Sequence, residues 1–135
     1  METSAITPLG SAEWFEALRK LRRHLDEEGQ SGIEAALRHA FHLVQMAPFM
    51  MTELFPEQLR ESSFEPLLEQ DALETAALRL FGDGIGFELS RREAGAFSAR
   101  VWLPGHVDTP VAEAGSAASA LLGAWCDCLI SLRIP

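Results

Sequence analysis

Basic residues are scarce in this chain: 11 Lys and Arg stand against 20 Asp and Glu over 135 residues, a net charge of −9. A surface of that sign repels phosphate backbones, so direct nucleic-acid contact is disfavoured, while a basic protein partner would be steered towards it. Cysteine is scarcer still. The two present, Cys126 and Cys128, would point about 160° apart on a helix. They can neither bridge within that helix nor share a metal ion, and read as buried thiols suited to a reducing cytosol. No apolar run reaches the roughly 20 residues of a bilayer span. The segment Met1–Gly10 is short, polar and contains Pro8, unlike a secretory signal. Repeats and low-complexity tracts are missing too. The expectation is a cytoplasmic chain with no membrane partner. It forms a single domain over 1–135, with a helical half at 1–81 and the remainder at 82–135, long enough to bury a core unaided.

Charge is absent from one stretch in particular. From Ser116 to Leu132 the chain has helix-forming composition, and Asp127 is its only charged side chain. A surface helix normally carries a charged stripe, so a helix apolar nearly all round must be covered nearly all round. It needs a sheet on one face and, on the other, either the N-terminal half or a second copy of the chain. Covering it by self-association is the ground for expecting a homodimer.

The helical period governs residues 1–81. Ser11 can cap a helix to about Glu28, with Trp14, Phe15, Leu18, Leu21 and Leu25 on one stripe. Arg19, Lys20, Arg22 and Arg23 lie in it and can pair at i,i+4 with Asp26, Glu27 and Glu28. After a Gly29–Gln30 break, Ile33, Ala36, Leu37, Ala40, Phe41, Val44 and Ala47 mark a second helix ended by Pro48. Phe49–Phe55 reads as one or two helical turns stopped by Pro56. A third helix is predicted from Ser63, with Pro66 in its first turn, to Phe81; the Gly82-Asp83-Gly84 cluster ends it.

Beyond Gly82 the period becomes two. Ile85, Phe87 and Leu89 alternate with polar or small residues, as do Phe97, Ala99, Val101 and Leu103. The turn Arg92–Ala96 supplies Gly95 for a positive φ, which together predicts a β-hairpin. For residues 107–113 two parses stand. Val107, Thr109 and Val111 could form an edge strand, or Asp108 could cap an early start of the last helix, with Pro110 in its first turn. The Gly115-Ser116 turn and cap favours the strand.

The hairpin ending Gly95-Ala96-Phe97-Ser98-Ala99-Arg100-Val101, the turn Leu103-Pro104-Gly105, and Gly115-Ser116 before Ala118 to Leu121 resemble a βββα unit. Such a unit occurs in HicB-type antitoxins and related small phage domains of double-stranded-RNA-binding-like topology. The resemblance covers residues 87–132 and implies a helix lying across a sheet and an antitoxin-like role, the binding of a small basic protein. The chain departs from the family in carrying Ala117, Ala118 and Ser119 where acidic residues usually follow the cap. It ends at Pro135 with no DNA-binding segment, and residues 1–81 have no counterpart there.

The chemistry-bearing residues are few. His39 and His42, three apart, could offer two imidazoles to a metal, although the helical wheel sets His42 on the solvated side and His39 to the flank. His106 and Asp108 beside the Pro104-Gly105 turn could orient a general base, yet no nucleophile elbow accompanies them. Gly82-Asp83-Gly84-Ile85-Gly86 looks like a phosphate loop in the wrong order, since it leads from helix into strand. Met46, Phe49, Met50, Met51, Leu54 and Phe55 form an adaptable cluster that packs between helices or lines a partner groove. Trp102, beside Arg100 and Glu88, points away from the hairpin's apolar face, either under the N-terminal helices or into a subunit contact.

The expected architecture is α+β: about three N-terminal helices packed with an antiparallel sheet of two or three strands and a long apolar C-terminal helix. The expected role is a non-catalytic interaction or regulatory domain, self-associating and without cofactor, with Trp102, Arg100, Met50, Met51 and Phe49 as contact residues. The alternatives are a small enzyme or ligand-binding protein with a pocket near the Met/Phe cluster and His106/Asp108, and the antitoxin-like binder.

Overall fold

Stripes three or four residues apart make helices, and here they make the N-terminal layer. The computed structural model describes residues 10–28, 32–57, 59–104 and 109–132. Helix α1 spans Ser11–Glu28 and buries Trp14, Phe15, Leu18, Leu21 and Leu25, the whole predicted stripe. Ser11 is its first helical residue and not its cap: the Gly10 carbonyl already accepts from the Trp14 amide at 2.9 Å. Helix α2, Ile33–Gln45, turns its apolar face onto α1. The Trp14 indole crosses that seam and donates to the Leu43 carbonyl at 2.8 Å, satisfying a polar group in a fully buried side chain.

A 3-10 segment, Phe49–Leu54, follows Pro48. The predicted third helix is in fact two, α3 (Glu61–Glu69) and α4 (Leu73–Arg79). The break is Asp71, whose φ of 60° is left-handed. Around it the Ala72 amide donates to Leu67 O at 2.8 Å and the Asp71 amide to Leu68 O at 3.2 Å. Those paired reverse bonds are a Schellman cap, with aspartate where glycine is commoner. Because α3 starts at Glu61, Pro66 sits inside it and not in its first turn. The Arg38 guanidinium grips Glu65 with two bonds of 2.8 and 2.9 Å, tying α3 to α2.

Alternation then builds the sheet. Strands β1 (Gly86–Arg91) and β2 (Phe97–Trp102) pair antiparallel from Gly86↔Trp102 to Arg91↔Phe97. The connecting turn holds Ala94 and Gly95 at φ 65° and 78°. The third strand, β3, is Ala112–Ala114, antiparallel to β2 in the order β1-β2-β3. Thr109 and Val111 therefore precede the strand instead of forming it, and Val107 lies outside the described residues. The early-helix parse fails as well. Helix α5 begins at Ala117 and runs to Ile130, with the Ser116 hydroxyl accepting from the Ser119 amide at 3.2 Å.

Among the described residues the architecture is α+β, five α-helices with one three-stranded antiparallel sheet. Helix α5 is its middle layer. Residues Ala118 to Cys126, Cys128 and Leu129 are all buried. One side lies on β2 and β3, the other under α1 and α4. The chain thus wraps this helix itself, and the expected need for a second copy to cover it disappears. The one charge, Asp127, accepts from Arg22 Nε of α1 at 2.9 Å, while Arg22 also reaches Asp26 at 2.9 Å. Gly123 sits at this crossing, where a Cβ would stand in van der Waals contact, 3.4 Å from both the Arg22 guanidinium carbon and the Ala112 Cβ. No described helix is long and apolar enough to cross a membrane.

Both members of the Arg22–Asp127 pair are less than a quarter exposed, so removing one leaves the other poorly solvated. Asp127→Ala should cost about 1–3 kcal/mol in urea unfolding. A double-mutant cycle with Arg22→Ala should return a positive coupling energy; additive effects would show that the pair does not tie the two helices.

Candidate functional site

The sheet divides the chemistry-bearing side chains into two faces. Ala99, Val101, Leu103 and Ala112 are buried on the α5 side. The other face carries Gly86, Glu88 and Ser90 from β1, opposite Trp102, Arg100 and Ser98 of β2, with Glu113 opposite Ser98. Arg100 bonds Glu88 across the strands at 2.8 Å and lies 5.9 Å from the centroid of the Trp102 ring. Arg92 meets Glu113 at 3.5 Å. Glu88, Ser90, Ser98, Arg100 and Val111 line a shallow concavity of about 190 Å³. Val111 is 55% exposed, an apolar side chain left at the rim.

Trp102 does not lie under the N-terminal helices, which pack on the far side of α5. Its indole rests on Gly86, where a Cβ would be 2.5 Å from Nε1. Glycine in this strand allows a close approach by a cross-strand aromatic. The sequence contained the signal, a glycine pairing with a tryptophan, but only the register reveals it. Trp102 and Arg100 are thus brought together as expected. Met51 is not: it is 1% exposed and belongs to the core, because the 3-10 turn directs it inward. The side chains of Phe49 and Met50 lie outside the described residues.

A cleft of about 790 Å³ opens at the other end of the Met/Phe segment. Val44, Phe55, Pro56 and Leu59 give it apolar walls, and Glu53, Glu57 and Asp83 supply three carboxylates. Gln45 fixes one wall by donating to the Leu59 carbonyl at 2.9 Å. Gly82 fixes another, since a Cβ there would lie 2.5 Å from the Leu54 carbonyl oxygen. The glycine run thus seats the turn against the 3-10 segment, with no phosphate loop formed. Sequence reasoning missed this grouping because Asp83 is far along the chain from Glu53 and Glu57, and each alone is an ordinary solvated charge. His106 and Asp108, expected at such a rim, lie outside the described residues.

His42 is exposed, and so by area is His39. His39 is nonetheless partly shielded by protein, and that desolvation, then His42 and His24 nearby, lowers its pKa. Among the described residues no three His, Cys, Asp or Glu side chains are grouped to hold a metal ion. Burial pushes the Cys126 thiol upward and the Cys128 thiol up to about 11. Both are therefore protonated at neutral pH and poor nucleophiles.

No family model, curated protein or solved structure matches the chain.

Trp14 and Trp125 are fully buried, so Trp102 alone should be open to acrylamide quenching, and Trp102→Phe should abolish the quenchable fraction. Gly86→Ala should lift the indole off the strand, raising that fraction and costing about 1–3 kcal/mol by overpacking. Unchanged quenching would mean that the ring does not rest there.

Proposed function

We propose that this chain is a non-catalytic protein-interaction domain, working in a reducing compartment such as the cytoplasm and self-associating through its sheet. One observation carries the reading: among the described residues the sheet has an uncovered face and an open β1 edge, and that end of the molecule is close to charge-neutral in a strongly acidic chain. Residues 1–81 carry a net charge of −7, whereas from Gly86 to Trp102 three arginines meet two glutamates. Two copies that meet through this near-neutral part, and not through their acidic helices, face the least long-range repulsion opposing association. The two cysteines are free and buried, which fits a chain that relies on packing and not on disulfides. Multi-angle light scattering at micromolar concentration should give twice the 14.8 kDa of one chain. A single-chain mass would overturn the reading.

The cleft favours a second reading, a docking site for a basic partner segment. Its apolar walls suit aliphatic stems, and its carboxylates suit the cationic ends of Lys or Arg. This is the chemistry that the antitoxin-like role implied by the βββα resemblance would need, and three strands followed by a helix occur here in that order. A fluorescent Arg/Leu-rich peptide should bind at low salt and be released as salt rises. The double substitution Glu53→Gln/Asp83→Asn should weaken it at least tenfold; undiminished binding by that variant would remove the cleft reading.

A further inference from the structure

Resting on the self-association just proposed, we infer that two copies join by their β1 edges, in an antiparallel pair with Leu89 on the two-fold axis, forming one six-stranded sheet. Strand β1 is an edge of the sheet, and no described strand pairs with its outer side. It is six residues long, without proline or bulge. An edge of that kind offers a row of unpaired backbone groups to another strand. The opposite edge is blunted: β3 is three residues long and follows Pro110, which has no amide hydrogen.

The register follows from the backbone. The Arg92 amide donates to Ala96 O at 2.7 Å, and the pairing continues without slip to Gly86↔Trp102. Bonded and non-bonded pairs alternate in an antiparallel ladder. Residues 92, 90, 88 and 86 therefore bond to β2, and the backbone groups of Phe87, Leu89 and Arg91 point to the free edge.

Side chains then choose among the registers that keep each face on its own side. Centring on Leu89 sets Leu89 against its copy, Phe87 against the partner's Arg91, and Glu88 against the partner's Ser90. Phe87 is 44% exposed and touches Phe81 edge-to-face at 5.7 Å, forming an apolar patch at this edge. Arg91 is exposed and has no ion pair among the described residues. Each receives in the partner what it lacks, since a guanidinium over an aromatic ring is attractive. Centring on Glu88 would instead oppose two glutamates directly, which destabilises a strand pair. Centring on Ser90 would run the ladder past the end of β1 and set Phe87 against the partner's Glu93.

Cross-linking tests this register. Glu88 and the partner's Ser90 form a non-bonded pair, whose Cα atoms sit about 4.5 Å apart, within the range a disulfide spans. Both positions are exposed, and the native thiols are buried and protonated. Glu88→Cys and Ser90→Cys chains, co-expressed and mildly oxidised, should give a covalent dimer on a non-reducing gel, and each variant alone should give none. A covalent dimer from either variant alone would overturn the register. A wild-type chain of double mass with no cross-link in any combination would overturn the edge pairing while leaving self-association standing. A wild-type chain of single mass would overturn both.

Discussion

A helix with one charge in fourteen residues has to be enclosed, and that requirement orders the whole molecule. Helix α5 cannot lie on the outside of anything, so the sheet takes one side and the N-terminal helices take the other. The remaining charge is accommodated by bringing α1 close enough for Arg22 to meet Asp127, beside Gly123. Each fully buried leucine in the seam contributes roughly 1.5–3 kcal/mol relative to exposure. Leu121, Leu122 and Leu129, all at 0% exposure, therefore bind the two layers to α5 more strongly than the ion pair does. The pair sets register; the apolar seam supplies the stability.

Much of this was legible in the sequence, because periodicity reports burial directly. The stripes of α1 and α2, the alternation of the hairpin and the Ser116 cap all appear where the pattern sets them. What was not legible depended on conformations that many residues can adopt. Asp71 in a left-handed cap divides one apolar pattern into two helices, and nothing in the spacing of Leu67, Leu73 and Leu80 requires it. The third strand was misplaced by a few residues because Val107, Thr109 and Val111 alternate as convincingly as Ala112 and Ala114 do. Pairing with Phe97 to Ala99 decides the matter, and pairing is a tertiary fact. The same holds for the candidate sites: the cleft's carboxylates come from separate segments, and Gly86 gains its meaning only from the tryptophan across from it.

The three-layer arrangement also has a consequence for where function can reside. Once α5 occupies the inner face of the sheet, the helices behind it cannot reach the outer one, so among the described residues that face and the β1 edge are left open. Trp102 would ordinarily be the residue to watch there, as tryptophan dominates many interfaces. Here its ring is already engaged, seated on Gly86 and flanked by Arg100. Its affinity is largely satisfied within the chain, and the flat face offers mostly paired charges and serines. Among the described residues, unmet valences lie instead along β1, where outward backbone groups, a half-exposed phenylalanine and an arginine without an ion pair coincide on one strand. Directional backbone bonds reward a partner strand more specifically than a flat polar face rewards any surface. The edge is therefore the part of this sheet with most to gain from company.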